Sequence, residues 1–137
     1  MQFLEATADR LRKHIDAGDV QLGVLPAGHD PFEGPLLYPV HIAVVLPLTH
    51  RLRRRPVIEV SELADEPLLL AGHQFGLRSW FDAACDAAHV RPRVAAESAS
   101  PHTLVSLARE GFGVAIVPSD LQPHHDGVRF LPLVHRG

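Results

Sequence analysis

Apolar residues recur along the chain with two different periods, one helical and one extended. Three segments carry them at three- and four-residue steps, which is typical of a helix with one buried face: residues 7–17, 77–88 and 101–110. Thr7 and Ser100 stand where N-caps are preferred, and Pro101 takes the first helical position after Ser100. Gly18 and Gly111 follow the first and third segments, as C-terminal glycines do. The pattern therefore predicts three helices.

Short apolar runs rich in β-branched residues predict strands between these helices. The predicted strands are residues 19–26, 36–47, 68–71, 93–98 and 114–117. A helical turn capped by Ser61 is expected within VIEVSELADEP, and a turn-rich loop within AGHDPFEGP. In the second half of the chain strands and helices alternate, which favours an α/β sheet with largely parallel strands.

The segment LVSLAREGFGVAIVP joins the third helix to the last of these strands. The Gly111–Gly113 bracket predicts a tight reversal, because glycine adopts backbone conformations that other residues avoid. We expect Phe112 to pack the helix against the sheet and Pro118 to end the strand. The role predicted for this segment is therefore architectural.

Two predicted strand-to-helix corners carry polar residues where α/β proteins bind ligands, outside the carboxyl ends of the strands. The first corner carries His73, Gln74 and Phe75. It is either a cleft wall, with Phe75 in apolar contact with a ligand, or a surface loop. The second corner carries Ser98, Ser100, His102 and Thr103. Its hydroxyls and free backbone N–H groups either cap the helix or also receive an anion such as a carboxylate.

Composition narrows the possible classes of protein. The 137 residues are 46% hydrophobic and 21% charged, enough for one compact domain or two small lobes. A single cysteine excludes an internal disulfide and favours the cytosol, and the N-terminus lacks the pattern of an export signal. The formal net charge of −3 argues against direct contact with nucleic acid. No apolar run approaches the roughly 20 residues of a membrane span.

No catalytic or metal-binding pattern stands out in the sequence. The ten histidines include the adjacent pair His124 and His125, whose side chains should point apart, and the others are widely spaced. Cys85 lies on an apolar helix face without a base beside it. Asp82 and Asp86, one helical turn apart, are typical of a solvated face. We therefore expect no metal, no cofactor and no enzymatic activity.

Four stretches resemble, in order and spacing, the effector-binding regulatory domain of LysR-type transcriptional regulators. They are LRKHIDAGDVQLGVL, LYPVHIAVVLPLTHRLRRRPVIEVSELADEPLLL, SWFDAACDAAHVRPRVAAESAS and HTLVSLAREGFGVAIVPSDL. The resemblance implies an α/β, periplasmic-binding-protein-like (type 2) fold of two lobes with an incomplete first lobe. Residues 1–46 would be a partial first subdomain ending in the crossing strand, and residues 47–137 the second subdomain.

The resemblance also implies a function. The chain would be a non-catalytic, cytoplasmic co-inducer-sensing module that binds a small-molecule effector, for which a carboxylate is suitable. The two corners and Ser119, beside the proline that ends the last strand, would hold that effector. A homodimer is expected. The family's winged helix-turn-helix, linker helix and outermost regulatory elements have no counterpart in this sequence, so DNA contact is not expected of this chain.

An alternative keeps the fold and changes the role. A LysR-like chain truncated at both ends could act through oligomerisation, as an interaction or inhibitory subunit, by exchanging elements that replace the missing first strand. A small hydrolase or metalloenzyme and a periplasmic solute-binding protein have less support in the sequence.

Overall fold

The computed structural model of the protein describes residues 1–26 and 34–136, so most of the loop predicted in AGHDPFEGP lies outside the described residues. The helices are α1 (Ala8–Asp16), α2 (Gly76–Ala87) and α3 (Pro101–Arg109). The strands are β1 (Ile42–Pro47), β2 (Ile58–Glu59), β3 (Pro67–Ala71), β4 (Arg93–Ser98), β5 (Val114–Pro118) and β6 (Val128–Val134). Two 3-10 helices, Val60–Leu63 and Ser119–His124, follow β2 and β5.

The strands form one six-stranded mixed sheet in the order β2-β6-β1-β5-β3-β4. β3 runs parallel to β4 and β5, and β2 runs parallel to β6. The central strand β1 is antiparallel to both of its neighbours, β5 and β6. The prediction of an α/β fold is confirmed, but the expectation of largely parallel strands is wrong for β1. Its neighbours are distant in sequence, so alternation of strands and helices could not reveal its direction.

The sheet is covered on both faces, because successive side chains of a strand point to opposite sides. On one face, Val44 and Leu46 of β1 belong to the same buried cluster as Phe81 and Cys85 of α2. On the other face, Ala43 and Val45 belong to a buried cluster with Leu104, Val105 and Ala108 of α3. The molecule therefore has three layers, and α2 and α3 begin at the edge of the sheet where β3, β4 and β5 end.

The N-terminal part of the chain departs from prediction. Residues 19–26 form no strand, and Leu22 and Val24 are exposed. A strand is stable only when a neighbour pairs with its backbone, and residues 19–26 pair with no strand of the sheet. The strand predicted from residue 36 begins at Ile42 for the same reason. α1 forms as predicted but buries no residue, and Thr7 caps it without a side-chain hydrogen bond.

Three further predictions need correction. Ser61 does not cap a helix, because the 3-10 turn begins earlier, after Glu59 two residues before it, and Glu59 forms a capping box with Glu62. The helical spacing of apolar residues predicts that Trp80 shares the buried face of α2 with Phe81 and Cys85, but Trp80 is 42% exposed. β6 is absent from the predicted strands, and it contains Pro132, a residue that is disfavoured in interior strands.

The glycine-bracketed turn after α3 forms as expected, but Phe112 does not have the predicted role. Gly111 has a φ of 84°, the left-handed region that favours glycine. A Cβ on Gly113 would lie 2.6 Å from the carbonyl oxygen of Pro67 in β3. This close approach of the two backbones leaves no room for a ring between α3 and the sheet, and Phe112 is 66% exposed.

Candidate functional site

A small apolar pocket lies at the carboxyl ends of β3, β4 and β5, between the first turns of α2 and α3. Its volume is about 60 Å³. The residues that line it are all apolar: Ala71, Phe75, Leu77, Ala99, Pro101, Leu104, Ile116 and Pro118. Ligand pockets in proteins usually measure roughly 300–1,000 Å³. This one can therefore enclose only part of a metabolite, such as a methyl group or the edge of a ring.

Serine hydroxyls flank the pocket on the two segments that follow β4 and β5. Ser98 Oγ accepts a hydrogen bond of 3.1 Å from the backbone N–H of Ser100, and Ser100 Oγ accepts one of 3.4 Å from Thr103. Ser119 Oγ accepts one of 3.1 Å from the backbone N–H of His41. A hydroxyl that accepts still has its own proton to donate. These serines can therefore offer donors to an oxygen-bearing ligand, and Ser100 is confirmed as the N-cap of α3.

The first predicted corner contributes its aromatic residue to the pocket. Phe75 lines the pocket and occupies the N-cap position of α2, where it makes no side-chain capping bond. Gln74 folds back over Gly72, so that a Cβ at Gly72 would collide with the Gln74 amide. His73 turns toward α2, where its Nε2 lies 3.3 Å from Nη2 of Arg78.

Arg78 is a buried arginine directly beneath this corner. Its Nη1 donates to the carbonyl oxygen of Ala71 at 2.8 Å and to Oε1 of Glu97 at 3.0 Å. Its Nε donates to both carboxylate oxygens of Asp82, at 3.0 and 3.2 Å. Burial by itself would lower the pKa of Arg78, but the hydrogen bonds that it donates to the carboxylates of Glu97 and Asp82 raise it. The guanidinium therefore remains charged, and its Nε and Nη1 donate to acceptors of the protein.

His102, in the second corner, pairs with a histidine 23 residues away. Its Nδ1 lies 2.8 Å from Nε2 of His125. Arg109 Nη2 lies 3.3 Å from Nδ1 of His125 and can only donate, so His125 accepts on Nδ1 and donates from Nε2 to His102. Partial burial lowers the pKa of His125, and the nearby His102, Arg109 and His124 lower it further. The pair is therefore a neutral hydrogen-bonded link between α3 and the segment after β5.

The predicted site residues fall into two groups. Phe75 lines the pocket, and Ser98, Ser100 and Ser119 each adjoin a residue that lines it. The remaining predicted residues make other contacts or stand apart: His73 and His102 are bonded to other side chains, Gln74 covers Gly72, and Thr103 is exposed. Their roles toward an effector remain predictions.

Sequence reasoning missed Arg78, although a signal was present. Arg78 stands three residues before Phe81 and seven before Cys85, on the same apolar face of α2. A charged residue in the buried stripe of a helix indicates a paired charge. Asp82, which was assigned to a solvated face, is its partner one turn away.

The described part of the chain contains no group of three or more histidine, cysteine, aspartate or glutamate side chains arranged to hold a metal ion. Burial, with the charges of Asp82 and Asp86, raises the pKa of the Cys85 thiol to about 11. Across residues 1–26 and 34–136, no helix is long and apolar enough to cross a membrane.

A mixed α/β sheet with a pocket at its carboxyl edge defines a domain of the periplasmic-binding-protein-like class. The family model described as "LysR substrate binding domain" matches residues 1–137, and the chain belongs to that family. The effector-binding domain of QuiR in complex with shikimate has the same fold, with a TM-score of 0.78 at 15% identity over 99% of this chain and 66% of that one. The CcmR regulatory domain of Synechocystis PCC6803 in complex with 2-PG matches with a TM-score of 0.74 at 17% identity, over 93% of this chain and 64% of that one.

A full-length relative shows that this family unit occurs within larger regulators. The uncharacterized HTH-type transcriptional regulator YwbI of Bacillus subtilis is 24% identical over 139 residues, which is 97% of this chain and 46% of the relative. The chain thus spans about half the length of that protein.

Proposed function

We propose that this chain is a non-catalytic sensing module that binds a small effector carrying a carboxylate or a similar oxygen-rich group. The observation that carries the proposal is the apolar pocket at the carboxyl ends of β3, β4 and β5, with serine hydroxyls beside it. An apolar portion of the effector would enter the pocket, and its oxygens would accept from Ser98, Ser100 and Ser119. His73, Gln74, His102 and Thr103 would form the outer rim.

The small size of the pocket supports a binding site that is shared between two subdomains. Because about 60 Å³ holds only a few heavy atoms, most of the effector would lie over the pocket rather than in it. A second wall would then come from residues outside the six-stranded sheet, as in a cleft between two subdomains. Residues 1–46 as a partial first subdomain and residues 47–137 as the second are part of this proposal.

The structural neighbours support an effector of this chemistry. QuiR and CcmR have effector domains of the same fold, one in complex with shikimate and the other with 2-PG. In a complete regulator, effector binding would shift an equilibrium between two states for which the ligand has unequal affinity. A cytoplasmic homodimer in which another domain contacts DNA would fit the match to an HTH-type regulator and the net charge of −3.

Thermal unfolding with shikimate, 2-PG and benzoate, each at millimolar concentration, tests the proposal. A ligand present at about 100 times its Kd stabilises the folded state by about 2.7 kcal/mol. For a chain of this size, that raises the Tm by several degrees. We expect at least one of these acids to produce such a rise.

A matched pair of variants ties the rise to the pocket. Ala99 lines the pocket, so A99F would fill it without removing a hydrogen bond. Ala83 is exposed on α2 and does not line the pocket, so A83F is the control. The rise should vanish in A99F and persist in A83F. Flat curves for wild-type protein across the panel, or an undiminished rise in A99F, would refute the proposal.

A further inference from the structure

Arg78 occupies a position where a charge is costly. The residue is 6% exposed and lies on the same helix face as Phe81 and Cys85. Burying a guanidinium costs several kcal/mol unless acceptors satisfy its N–H groups and its charge. The identity of those acceptors therefore shows what the buried arginine does for the fold.

A single nitrogen of Arg78 joins the two corners of the candidate site. Nη1 donates to the carbonyl oxygen of Ala71, the last residue of β3, and to the carboxylate of Glu97, the penultimate residue of β4. The Gly72–Phe75 corner starts immediately after Ala71, and the Ser98–Ser100 corner starts immediately after Glu97. The distance between the starts of the two corners is therefore set partly through Arg78.

The end of β4 is paired on one side only. β4 is an edge strand that pairs with β3 alone, and the register of that pairing shifts between Leu68 and Leu69. Beyond the shift Glu97 and Ser98 still pair with Leu70 and Ala71, but on one side only, and the residues of β4 are exposed or half-buried. Fewer contacts hold this strand end than hold the ends of β3 and β5, which are interior strands of the sheet.

The guanidinium is not arranged to bind an anionic effector itself. Two carboxylates, Asp82 and Glu97, already face its single positive charge, and Nη2 lies against His73. The local charge of this group is therefore not positive. Its hydrogen-bonding groups point to β3, β4 and α2, which is the arrangement of a group that holds other elements in place.

We infer that Arg78 is a positioning residue of the effector site, which through Ala71 and Glu97 holds the two corners at a fixed separation and orders the Ser98–Ser100 segment. The inference depends on the proposed function for what the corners bind. The ordering of the segment can be measured without any ligand. Substitution of Arg78 would leave the Ala71 carbonyl unsatisfied and endanger folding, so the test is made at Glu97.

Backbone 15N order parameters of Ser98, Ala99 and Ser100 in the ligand-free chain provide the main readout. E97A removes the acceptor, whereas E97Q keeps an oxygen at the same place. In E97A we expect the order parameters to fall from about 0.85, the value of rigid backbone, to below about 0.6. In E97Q they should stay near the wild-type values, since Arg78 can still donate to the amide oxygen.

D82N is the matched control, because Asp82 pairs with Arg78 inside α2 and does not contact β4. It should leave the order parameters of Ser98 to Ser100 unchanged. Unchanged order parameters in a folded E97A variant, or an equal loss in D82N, would overturn the inference. A Kd for benzoate at least tenfold weaker in E97A than in D82N would support it further. If benzoate does not bind the wild type, that result counts against the proposed function, and the order parameters still decide the role of Arg78.

Discussion

The His102–His125 pair links two segments that are distant in sequence. His125 accepts from Arg109 and donates to His102, so the His125 ring is neutral in this arrangement. A proton added to His125 would occupy Nδ1 and break the bond from Arg109. It would also place a second positive charge beside the guanidinium and near the N-terminal end of α3.

This arrangement predicts that stability declines at mildly acidic pH. The pKa of His125 is lower in the folded chain than the ordinary value of about 6.5 in the unfolded chain, so the unfolded state binds the proton more tightly. The stabilising contribution is complete above about pH 6.5 and is lost as the pH falls through that value toward the folded pKa. Asp126 opposes the effect but does not reverse the shift.

H125Q isolates this contribution, because glutamine can accept and donate but does not titrate in this range. Between about pH 7.5 and about pH 5, the Tm of H125Q should fall less than that of the wild type. An exposed histidine outside this cluster provides the control, and H135Q should follow the wild-type curve. Parallel curves for H125Q and wild type would show that His125 does not contribute to the pH dependence.

Cys85 is expected to be chemically inert in the folded protein. Burial raises the pKa of its thiol to about 11, and the residue is 1% exposed, so little thiolate forms and reagents cannot reach it. A disulfide reagent such as DTNB at about pH 8 should label the native chain only as fast as it unfolds. The same chain in about 6 M guanidinium should react at once. Rapid labelling of native protein would contradict the burial of Cys85.

Residue-scale features were predictable where the cause was local. Ser100 before Pro101 indicates a helix start by itself, and Phe75 beside a strand end suggested a cleft wall. The His102–His125 bond was not predictable, because 23 residues separate its members and only the folded sheet brings them together. Arg78 lay between these cases, since its helical face was predictable but its partner on β4 was not.

At the scale of elements, the geometry of the turn between α3 and β5 predicts how much stability is lost when each of its two glycines is replaced by alanine. A Cβ at Gly113 would meet the Pro67 carbonyl oxygen at 2.6 Å, so β5 would have to move away from β3. G113A should therefore lower the free energy of unfolding by about 3 kcal/mol, as overpacking of a tight interface does. No atom lies within 4 Å of a Cβ at Gly111, so G111A should cost only about 1 kcal/mol for its left-handed backbone.

F112A completes the series and tests the correction made to the sequence-based prediction. Phe112 is 66% exposed, so its truncation should change the free energy of unfolding by no more than about 0.5 kcal/mol. Urea denaturation of the three variants measures all these values under the same conditions. A large cost for F112A would mean that the ring packs between helix and sheet after all.

Elements with strong periodicity or clear boundary residues were predicted well. α2, α3, β3, β4 and β5 all lie where apolar pattern, N-cap and glycine signals placed them. The failures have a different cause, because a strand exists only through its neighbours. Residues 19–26 have strand-like composition but no partner in the sheet, whereas β6 contains Pro132 and still pairs along β1.

At the scale of the whole molecule, strand order could not be obtained from the pattern of the chain. β1 is the third strand of the sheet and is antiparallel to β5 and β6, which lie about 70 or more residues later in the chain. Its side chains join the clusters on both faces of the sheet. The predicted boundary after residue 46 therefore assigns β1 to the first subdomain by chain order. Its buried side chains are nevertheless stabilised by packing on both faces of the sheet.

This distribution of buried residues predicts that residues 1–26 can be removed at little cost. α1 buries no residue, and Leu22 and Val24 are exposed, whereas Leu46 of β1 is fully buried. Deletion of residues 1–26 should lower the free energy of unfolding by about 1 kcal/mol, a few degrees in Tm. The single substitution L46A should cost about 2–5 kcal/mol, because it leaves a cavity in the core. Thermal unfolding of both variants, with 15N–1H spectra to verify the sheet, measures the difference. If the deletion is the more damaging change, the N-terminal segment contributes to the core in a way that its exposure does not indicate.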